Sequence, residues 1–112
     1  MHSFLKPNQL SRVQYRHIMD FARDKPCQVR LWQICNSDPA TSVMAHIPSF
    51  CNKGIGRKPH PLLVSIACSA CHDAIDMRTN TDFDPEFLRL AWAEGHCRTL
   101  EMLEQEGIIK IV

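Results

Sequence analysis

The stretch Cys68-Ser69-Ala70-Cys71-His72-Asp73-Ala74-Ile75-Asp76 carries the most specific signal in this sequence of 112 residues. Two cysteines separated by two residues can bind one metal ion from a single backbone turn, and tetrahedral zinc then requires two further ligands. A turn that fixes Cys71 also fixes the direction of His72, which follows it directly. We predict that the stretch opens a helix ending near Arg78, which places His72 and Asp76 on one face, one turn apart.

The second pair of metal ligands is expected at Cys27 and Cys35. The spacing between these two cysteines is longer than usual for one metal site, and it fits a small hairpin that brings both thiols together. Val29 and Leu31 predict a short strand followed by a turn within this hairpin. The sequence therefore predicts one structural zinc ion with four cysteine ligands: Cys27, Cys35, Cys68 and Cys71.

Alternative roles for the cysteines remain open at this point. Cys51 could replace one of the four ligands, and Cys97 is expected to fill the core. The thiols could also be reduced core residues, since free cysteine is among the most buried residue types, or form a disulfide pair. The chain starts without a basic segment followed by an apolar one, so we expect a cytoplasmic protein, where paired cysteines are more often metal ligands.

Two short strands are predicted on either side of a loop. Thr41–Ile47 is rich in strand-forming residues and has His46 near its end, and Leu62–Ala67 forms the second strand. Residues 48–61 between them form a loop by their proline and glycine content. This loop contains three basic residues placed to contact phosphate: Lys53, Arg57 and Lys58.

Helices are predicted near both ends of the chain. Apolar residues recur at helical spacing from Gln9 to Asp24. Asp84-Pro85-Glu86 is a helix start, with an N-cap, a proline at the first position and an acid in the first turn. This long helix is expected to end near Gly107, and its buried face to consist of Phe87, Leu88, Ala91, Trp92, His96, Leu100 and Leu103. We expect Trp32 to lie in the core and residues 108–112 to form a closing strand.

Length and charge limit the organisation of the chain. The 112 residues correspond to one domain, divided into an N-terminal arm and helix, residues 1–24, and a zinc-containing unit, residues 25–112. No apolar run approaches the roughly 20 residues of a membrane span, so we expect no membrane partner.

The charge of the chain is unevenly distributed. Residues 1–60 carry a net charge of +6 and residues 61–112 a net charge of −5. The basic half could contact nucleic acid, or folding could interleave the charges.

The order of these parts resembles the HNH, or His-Me finger, nuclease family. A strand with a histidine at its end, a loop, a second strand and a helix opening with Cys-x-x-Cys-His follow one another, and in that family a zinc ribbon often supports a ββα unit. The sequence is more similar still to a family of small lambdoid-prophage proteins regarded as nucleases (YbcO-like). The residues that carry the resemblance are Cys27-Gln28-Val29-Arg30, Thr41–Ile47, Lys58-Pro59 and Ile66–Asp76.

The resemblance implies both a fold and a chemistry. The expected fold class is α+β, with a zinc-ribbon-supported ββα-metal (HNH-like) core between an N-terminal helix and a long C-terminal helix. In this family the histidine that closes the first strand is the general base, and His46 occupies that place. A histidine on the helix is a ligand of the catalytic divalent ion, Mg²⁺ or a similar ion, and His72 is the nearest match. Asp76 and Asp73 are the available carboxylate ligands, and Asp76 shares the face of His72.

The implied activity is that of a metal-dependent endonuclease or nickase acting on DNA, of prophage origin. Enzymes that cut with two-fold symmetry are often dimers, so a homodimer is one arrangement to test. HNH proteins usually have a further metal ligand immediately before the first histidine, and this place is Ala45 here. A non-catalytic zinc-ribbon DNA-binding protein of phage recombination or replication is therefore the alternative, and a zinc-stabilised protein-interaction module is a third reading.

Overall fold

A computed structural model describes residues 12–48 and 60–110 of the chain, and the side chains from residue 14 onward within them. The described chain contains three α-helices, two strands and one short 3-10 helix. In chain order the elements are α1 (Arg12–Asp20), the 3-10 helix (Pro39–Thr41), β1 (Val43–His46), β2 (Val64–Ala67), α2 (Ser69–Ile75) and α3 (Pro85–Gln105). The predicted α+β class is confirmed.

β1 and β2 form an antiparallel hairpin that lies between two layers of helices. Val43 lies opposite Ala67, and His46 lies opposite Val64. Because side chains alternate between the faces of a strand, His46 shares the face of Met44. That face packs against α1 and the end of α3 through a cluster of Ile18, Phe21, Ala22, Met44, Val64, Ile66 and Leu103.

The opposite face of the hairpin supports α2 and the first half of α3. Ala45 and Ala67 lie there in one buried cluster that also contains three of the cysteines: Cys27, Cys68 and Cys71. The remaining buried members of this cluster come from the turn before the hairpin and from the two helices: Val29, Leu31, Ala74, Ile75, Leu88 and Trp92. The hairpin therefore places the cysteines and the His46 side chain on different sides of the sheet.

Both strands are shorter than the sequence predicts. Thr41 belongs to the 3-10 helix instead of a strand, because the Asp38 side chain accepts the Ala40 N–H and Pro39 starts the turn. β2 begins at Val64, two residues after the predicted start. The strand predicted within Cys27–Cys35 is wrong, because this segment forms turns and no strand. Arg30 and Gln33 have φ values of 56° and 61° in this segment, which turn the backbone out of an extended path.

α2 is also shorter than predicted. The Cys68 side chain caps it by accepting the N–H of Cys71, and the helix ends at Ile75. Met77 follows with a φ of 59°, in the left-handed region that stops a helix. The N-terminal helix likewise ends early, at Asp20 instead of Asp24, and its predicted start lies outside the described residues.

The N-terminal cap of α3 is as predicted, but the residues that this helix buries differ in part from the predicted buried face. Asp84 Oδ1 accepts the Phe87 N–H at 2.9 Å, but the Phe87 side chain is 44% exposed. Leu88, Trp92 and Leu103 are buried as expected, together with two residues that hydrophobicity does not reveal, Gly95 and Thr99. Residues 108–110 do not form the predicted strand, and residues 111–112 lie outside the description.

α3 also supplies hydrogen bonds to the outer edge of β2. Thr99 Oγ1 accepts the Ile66 N–H at 3.0 Å, and His96 Nδ1 donates to the Val64 carbonyl at 2.8 Å. The Ile66 carbonyl accepts the Gln28 N–H at 2.8 Å. These contacts satisfy backbone groups that a second neighbouring strand would otherwise pair.

Two predicted core residues lie at the surface. Trp32 is 72% exposed, and Cys97 is also exposed. Trp92 is buried, and its ring stacks on His96 at a centroid distance of 5.1 Å. Within the described residues, no helix combines the length and the apolar character needed to cross a bilayer.

Candidate metal centre and candidate active site

The four predicted cysteine ligands come together in space. The Sγ atoms of Cys27, Cys35, Cys68 and Cys71 all lie within 4.8 Å of one another. Zn–S bonds of about 2.3 Å in a tetrahedron place two sulfurs about 3.8 Å apart, and the Sγ atoms of Cys35 and Cys68 are 3.9 Å apart. All four are free cysteines. The cluster can therefore hold a metal ion, as the sequence predicts.

Backbone turns aim N–H groups at the sulfurs of this cluster. Cys27 Sγ accepts the N–H of Arg30 at 3.4 Å, and Cys71 Sγ accepts the N–H of Leu31 at 3.4 Å. Leu31 is 2% exposed, so its side chain anchors the turn in the core. The Leu31 carbonyl in turn accepts the N–H of Cys35 at 2.8 Å. Such N–H donors stabilise negative charge on thiolate ligands and fix their direction.

The protonation of the cluster is strongly perturbed. The pKa of Cys27 is lowered to about 4, because the Cys71 thiol donates a hydrogen bond to it. The pKa of Cys71 is raised, because its proton is held in that bond and because it is buried. Burial also raises the pKa of Cys35. The hydrogen bond between the two thiols thus favours the thiolate at Cys27 and the protonated thiol at Cys71.

A second group of polar residues lies on the outer side of α2 and just beyond it. His72 Nε2 lies 3.0 Å from Asp76 Oδ2, and both side chains are partly exposed. Arg78 donates through Nη1 to Asp73 Oδ1 at 3.2 Å and through Nη2 to Asp76 Oδ2 at 3.1 Å. The structure places His72 beside Asp76 on one face of α2, and Arg78 links Asp76 to Asp73. The roles of these residues as ion ligands stay predictions.

The separation of His72 Nε2 and Asp76 Oδ2 fits two neighbouring positions around one cation. Ligand bonds of about 2.1 Å at right angles, as around octahedral Mg²⁺, place their ends about 3 Å apart. The observed distance is 3.0 Å. The same distance is that of an ordinary hydrogen bond, so a divalent ion held by both side chains would replace that bond and would require both groups to turn toward the ion.

His46 lies in a different neighbourhood from His72. It ends β1, is half-buried, and its Nε2 lies 3.5 Å from the hydroxyl oxygen of Tyr15 on α1. Ala45, which precedes it, is fully buried on the side of α2, and its carbonyl accepts the Trp92 Nε1–H at 3.0 Å. His46 thus lies beside Tyr15 on the α1 side of the hairpin, and His72 lies beside Asp76 on α2.

Sequence reasoning missed Tyr15, because the residue lies at the flank of the apolar face of its helix and 31 positions away from His46. The predicted phosphate contacts Lys53, Arg57 and Lys58 lie outside the described residues, and so does Cys51. Their roles stay predictions.

Fold and sites together define a small α+β protein with a four-cysteine cluster, able to hold a metal ion, beside a β-hairpin. The profile of the family described as "Putative nuclease YbcO" matches residues 16–108, and the chain belongs to this family. It is 46% identical over 89 residues to "Putative nuclease YbcO" of Escherichia coli (strain K12), covering 80% of this chain and 92% of the relative. The same values apply to "Putative nuclease ybcO" of Enterobacteria phage 82.

A solved structure has a similar fold. The "Structure of a putative bacteriophage protein from Escherichia coli str. K-12 substr. MG1655" matches with a TM-score of 0.68 and 43% sequence identity. The match covers 80% of this chain and 99% of that one. These comparisons confirm the resemblance to the YbcO-like proteins.

Proposed function

We propose that this chain is a metal-dependent endonuclease or nickase that hydrolyses phosphodiester bonds in DNA, in the cytoplasm and of prophage origin. The observation that carries the proposal is the pair formed by His72 Nε2 and Asp76 Oδ2, 3.0 Å apart on a partly exposed helix face. The nuclease names of the two relatives support the same reaction class.

The four-cysteine cluster is the structural part of this proposal. Four thiolates in a tetrahedral arrangement favour zinc, and a buried structural site contributes directly to folding. The zinc ion would fix the start of α2 through Cys68 and Cys71, and with it the direction of His72. The succession of β1, β2 and α2 supports an HNH-like core, with the unit at residues 25–112 carrying the chemistry and residues 1–24 flanking it.

His72 and Asp76, with Asp73 nearby, would hold the catalytic Mg²⁺ or a similar ion. A bound divalent ion supplies positive charge against the phosphate, whose own charge repels a nucleophile. His46 is the proposed general base, because an imidazole can accept a proton from water near neutral pH. The role requires the bound DNA to reach both His46, on the α1 side of the hairpin, and the ion held on α2. The Tyr15 hydroxyl, 3.5 Å from His46 Nε2, would restrict the orientation of the imidazole.

DNA is the proposed partner, with Lys53, Arg57 and Lys58 as phosphate contacts. Charge-assisted bonds from such residues position a protein on the backbone without reading its sequence. A homodimer stays part of the proposal, because two copies could cut both strands of a duplex.

A second candidate function is a zinc-containing DNA-binding protein without catalysis. Ala45 favours it, because this fully buried residue stands where HNH proteins usually have a metal ligand, and its side chain offers no ligand atom. Such a protein would bind DNA with a steep dependence on salt and leave the strands intact.

A plasmid-nicking assay separates the two candidates. Zinc-loaded wild type is incubated with supercoiled DNA and Mg²⁺ or Mn²⁺, beside His46→Ala, His72→Ala and the control His17→Ala, which removes an exposed histidine of α1. We expect wild type and the control to nick the plasmid, and His46→Ala to be slower by about 100-fold or more.

Two results would contradict the proposal. If folded, zinc-loaded wild type leaves the plasmid intact, the second candidate function, DNA binding without catalysis, is favoured. Equal nicking by wild type and His46→Ala would show that His46 is not the base.

A further inference from the structure

We propose that Trp32 and Arg30 form a binding site for one unpaired nucleotide of DNA, in which the indole ring stacks on the base and the guanidinium binds the phosphate. This inference deepens the proposed function and rests on it, because it takes DNA as the partner. It concerns a turn of the cysteine-bearing segment and does not depend on an ion at His72 and Asp76.

Trp32 is exposed on a turn that the core holds in place. The residue is 72% exposed, whereas the preceding Leu31 is 2% exposed. The Leu31 carbonyl accepts the N–H groups of Ile34 at 3.1 Å and of Cys35 at 2.8 Å, which closes the turn around Trp32. The Leu31 N–H donates to Cys71 Sγ at 3.4 Å. Because the backbone on both sides is fixed, little conformational freedom is lost when a ligand covers the indole ring.

Arg30 lies in the same segment and is held in place without an acidic partner. Its Nε donates to the Cys27 carbonyl at 3.2 Å, and its Nη2 donates to Gln28 Oε1 at 3.1 Å. Gln28 is 5% exposed, and its own side-chain amide donates to the Pro26 carbonyl at 2.8 Å. Within the part of the chain that the structure describes, no carboxylate pairs with Arg30. An exposed guanidinium that is positioned and uncompensated can bind an anion through its remaining donors.

A second arginine adds to the positive charge at Gln28. Arg98 of α3 donates through Nη1 to the Gln28 carbonyl at 2.7 Å, and its Nη2 lies 3.4 Å from Glu94 Oε2. The charged groups that these contacts link to Gln28 are therefore two guanidiniums and one carboxylate. An excess of positive charge beside an exposed aromatic ring favours a polyanion that also carries rings.

The surroundings of Trp32 fit a base better than a protein surface. Its exposed neighbours in the segment, Arg30 and Gln33, are polar, while Ile34 packs against the core. The centre of a protein interface requires several apolar side chains that exclude water together. A base needs only one ring face, and its phosphate needs one cation. Because both faces of a base in duplex DNA are already stacked, the site selects an unpaired nucleotide.

The chain has two tryptophans, so the stacking contact can be observed directly by fluorescence. Trp92 is 5% exposed, and its Nε1–H donates to the Ala45 carbonyl at 3.0 Å, so a base cannot cover its ring. Zinc-loaded wild type is titrated with single-stranded oligothymidylate and, separately, with a duplex of equal length. We expect the single strand to quench the tryptophan fluorescence of wild type. Trp32→Phe, in which Trp92 is the remaining tryptophan, should show no quenching.

Anisotropy of labelled DNA measures the affinity of the variants. We expect Trp32→Ala to bind the single strand about 10- to 100-fold more weakly than wild type, because base stacking is lost. Arg30→Gln should bind about 3- to 10-fold more weakly, since a charge-assisted phosphate contact is lost. The slope of log K against log salt should also become shallower by about 0.7, which corresponds to one phosphate contact on a single strand.

Matched controls separate these contacts from general effects of surface changes. Leu90→Ala removes another exposed apolar side chain, and Arg23→Gln removes an exposed arginine that pairs with Asp20 at 3.6 Å. Both should bind the single strand as wild type does. Arg30→Lys keeps the charge and should keep the salt slope. Zinc content and melting temperature, measured for every variant, show that the turn is intact.

The outcomes distinguish the inference from the proposed function. If wild type binds the duplex but not the single strand, or if Trp32→Ala binds the single strand as wild type does, the inference is wrong while DNA stays the partner. Equal weakening of duplex and single-strand binding in Trp32→Ala would show that the site does not select an unpaired nucleotide. An unchanged salt slope in Arg30→Gln would show that Arg30 does not bind phosphate. If wild type binds neither form of DNA, the proposed function fails together with the inference.

Discussion

The cysteine cluster and the His72–Asp76 pair both depend on α2, yet they are built in opposite ways. Cys68 and Cys71 are fully buried at the start of the helix, where backbone N–H groups and core residues surround them. His72 and Asp76 are partly exposed on its other side, where ion pairs surround them. One short helix thus has an inner face that is part of the core and an outer face whose imidazole and carboxylate groups reach solvent. Changes on the two faces should therefore have separable effects.

The largest effect is expected from removal of a buried cysteine. Cys71→Ala takes away one of the four proposed zinc ligands and leaves the charge of the other thiolates without full compensation. Structural zinc sites contribute about 10 kcal/mol or more to folding. We expect the variant to lose its zinc and its cooperative thermal unfolding. Elemental analysis and calorimetry measure both.

The matched control for this change is Cys97→Ala, which replaces an exposed cysteine on α3. It should keep one zinc ion per chain and the wild-type melting temperature. A Cys71→Ala protein with full zinc content and unchanged melting would show that the cluster is only a group of core thiols.

A smaller loss of stability is expected at the contact between α3 and the sheet. A methyl group added at Gly95 would meet Ser65 Oγ and would lie 3.1 Å from backbone atoms of Gln28. Alanine is favoured over glycine in a helix by about 1 kcal/mol, but overpacking a buried contact costs about 1–3 kcal/mol. We expect Gly95→Ala to lower the free energy of unfolding, measured by urea denaturation, with zinc content unchanged. A more stable variant would show that the helix does not need this close approach.

The smallest effect on stability is expected on the outer face of α2. Asp76→Asn keeps the shape of the side chain and weakens partly exposed ion pairs, which contribute about 0–1 kcal/mol. Mn²⁺ binding and nicking should nevertheless be lost, because an amide is a poor substitute for a carboxylate at a divalent ion. Asp82→Asn, at an exposed position, is the control for the charge change. A large decrease in the free energy of unfolding of Asp76→Asn would show that the outer face of α2 also stabilises the fold.

The sequence predicts the cysteine cluster well, because the Cys-x-x-Cys spacing places two thiols on one backbone turn and a metal site would require a second pair of the same residue type. The start of α3 is equally predictable, since Asp84 and Pro85 fix it through a side-chain cap and a restricted backbone angle. Cys27–Cys35 shows where such reasoning fails. Its apolar residues have strand propensity, but the thiols and the buried Leu31 require tight turns instead. The turns that bring these thiols together override the local strand preference there.

Tertiary contacts account for the other differences. Residue type alone does not distinguish Trp32, at the surface, from Trp92, whose indole N–H finds the carbonyl of Ala45 in the core. Thr99 is buried because its hydroxyl pairs with the backbone of β2, a contact that hydrophobic periodicity cannot reveal. The proximity of Tyr15 to His46 depends on how α1 docks on the hairpin.

The hydrogen bonds from α3 to β2 affect the tendency of this chain to aggregate. An open strand edge is a template on which another chain can add a strand, and growth in that direction leads to aggregation. Thr99, His96 and Gln28 occupy the outward N–H and carbonyl groups of Ile66 and the carbonyl of Val64. During synthesis the Ile66 N–H and the Val64 carbonyl have no partner from α3 until its second half has left the ribosome. Afterwards, the part of β2 that these residues cover is closed to strand addition by its own helix.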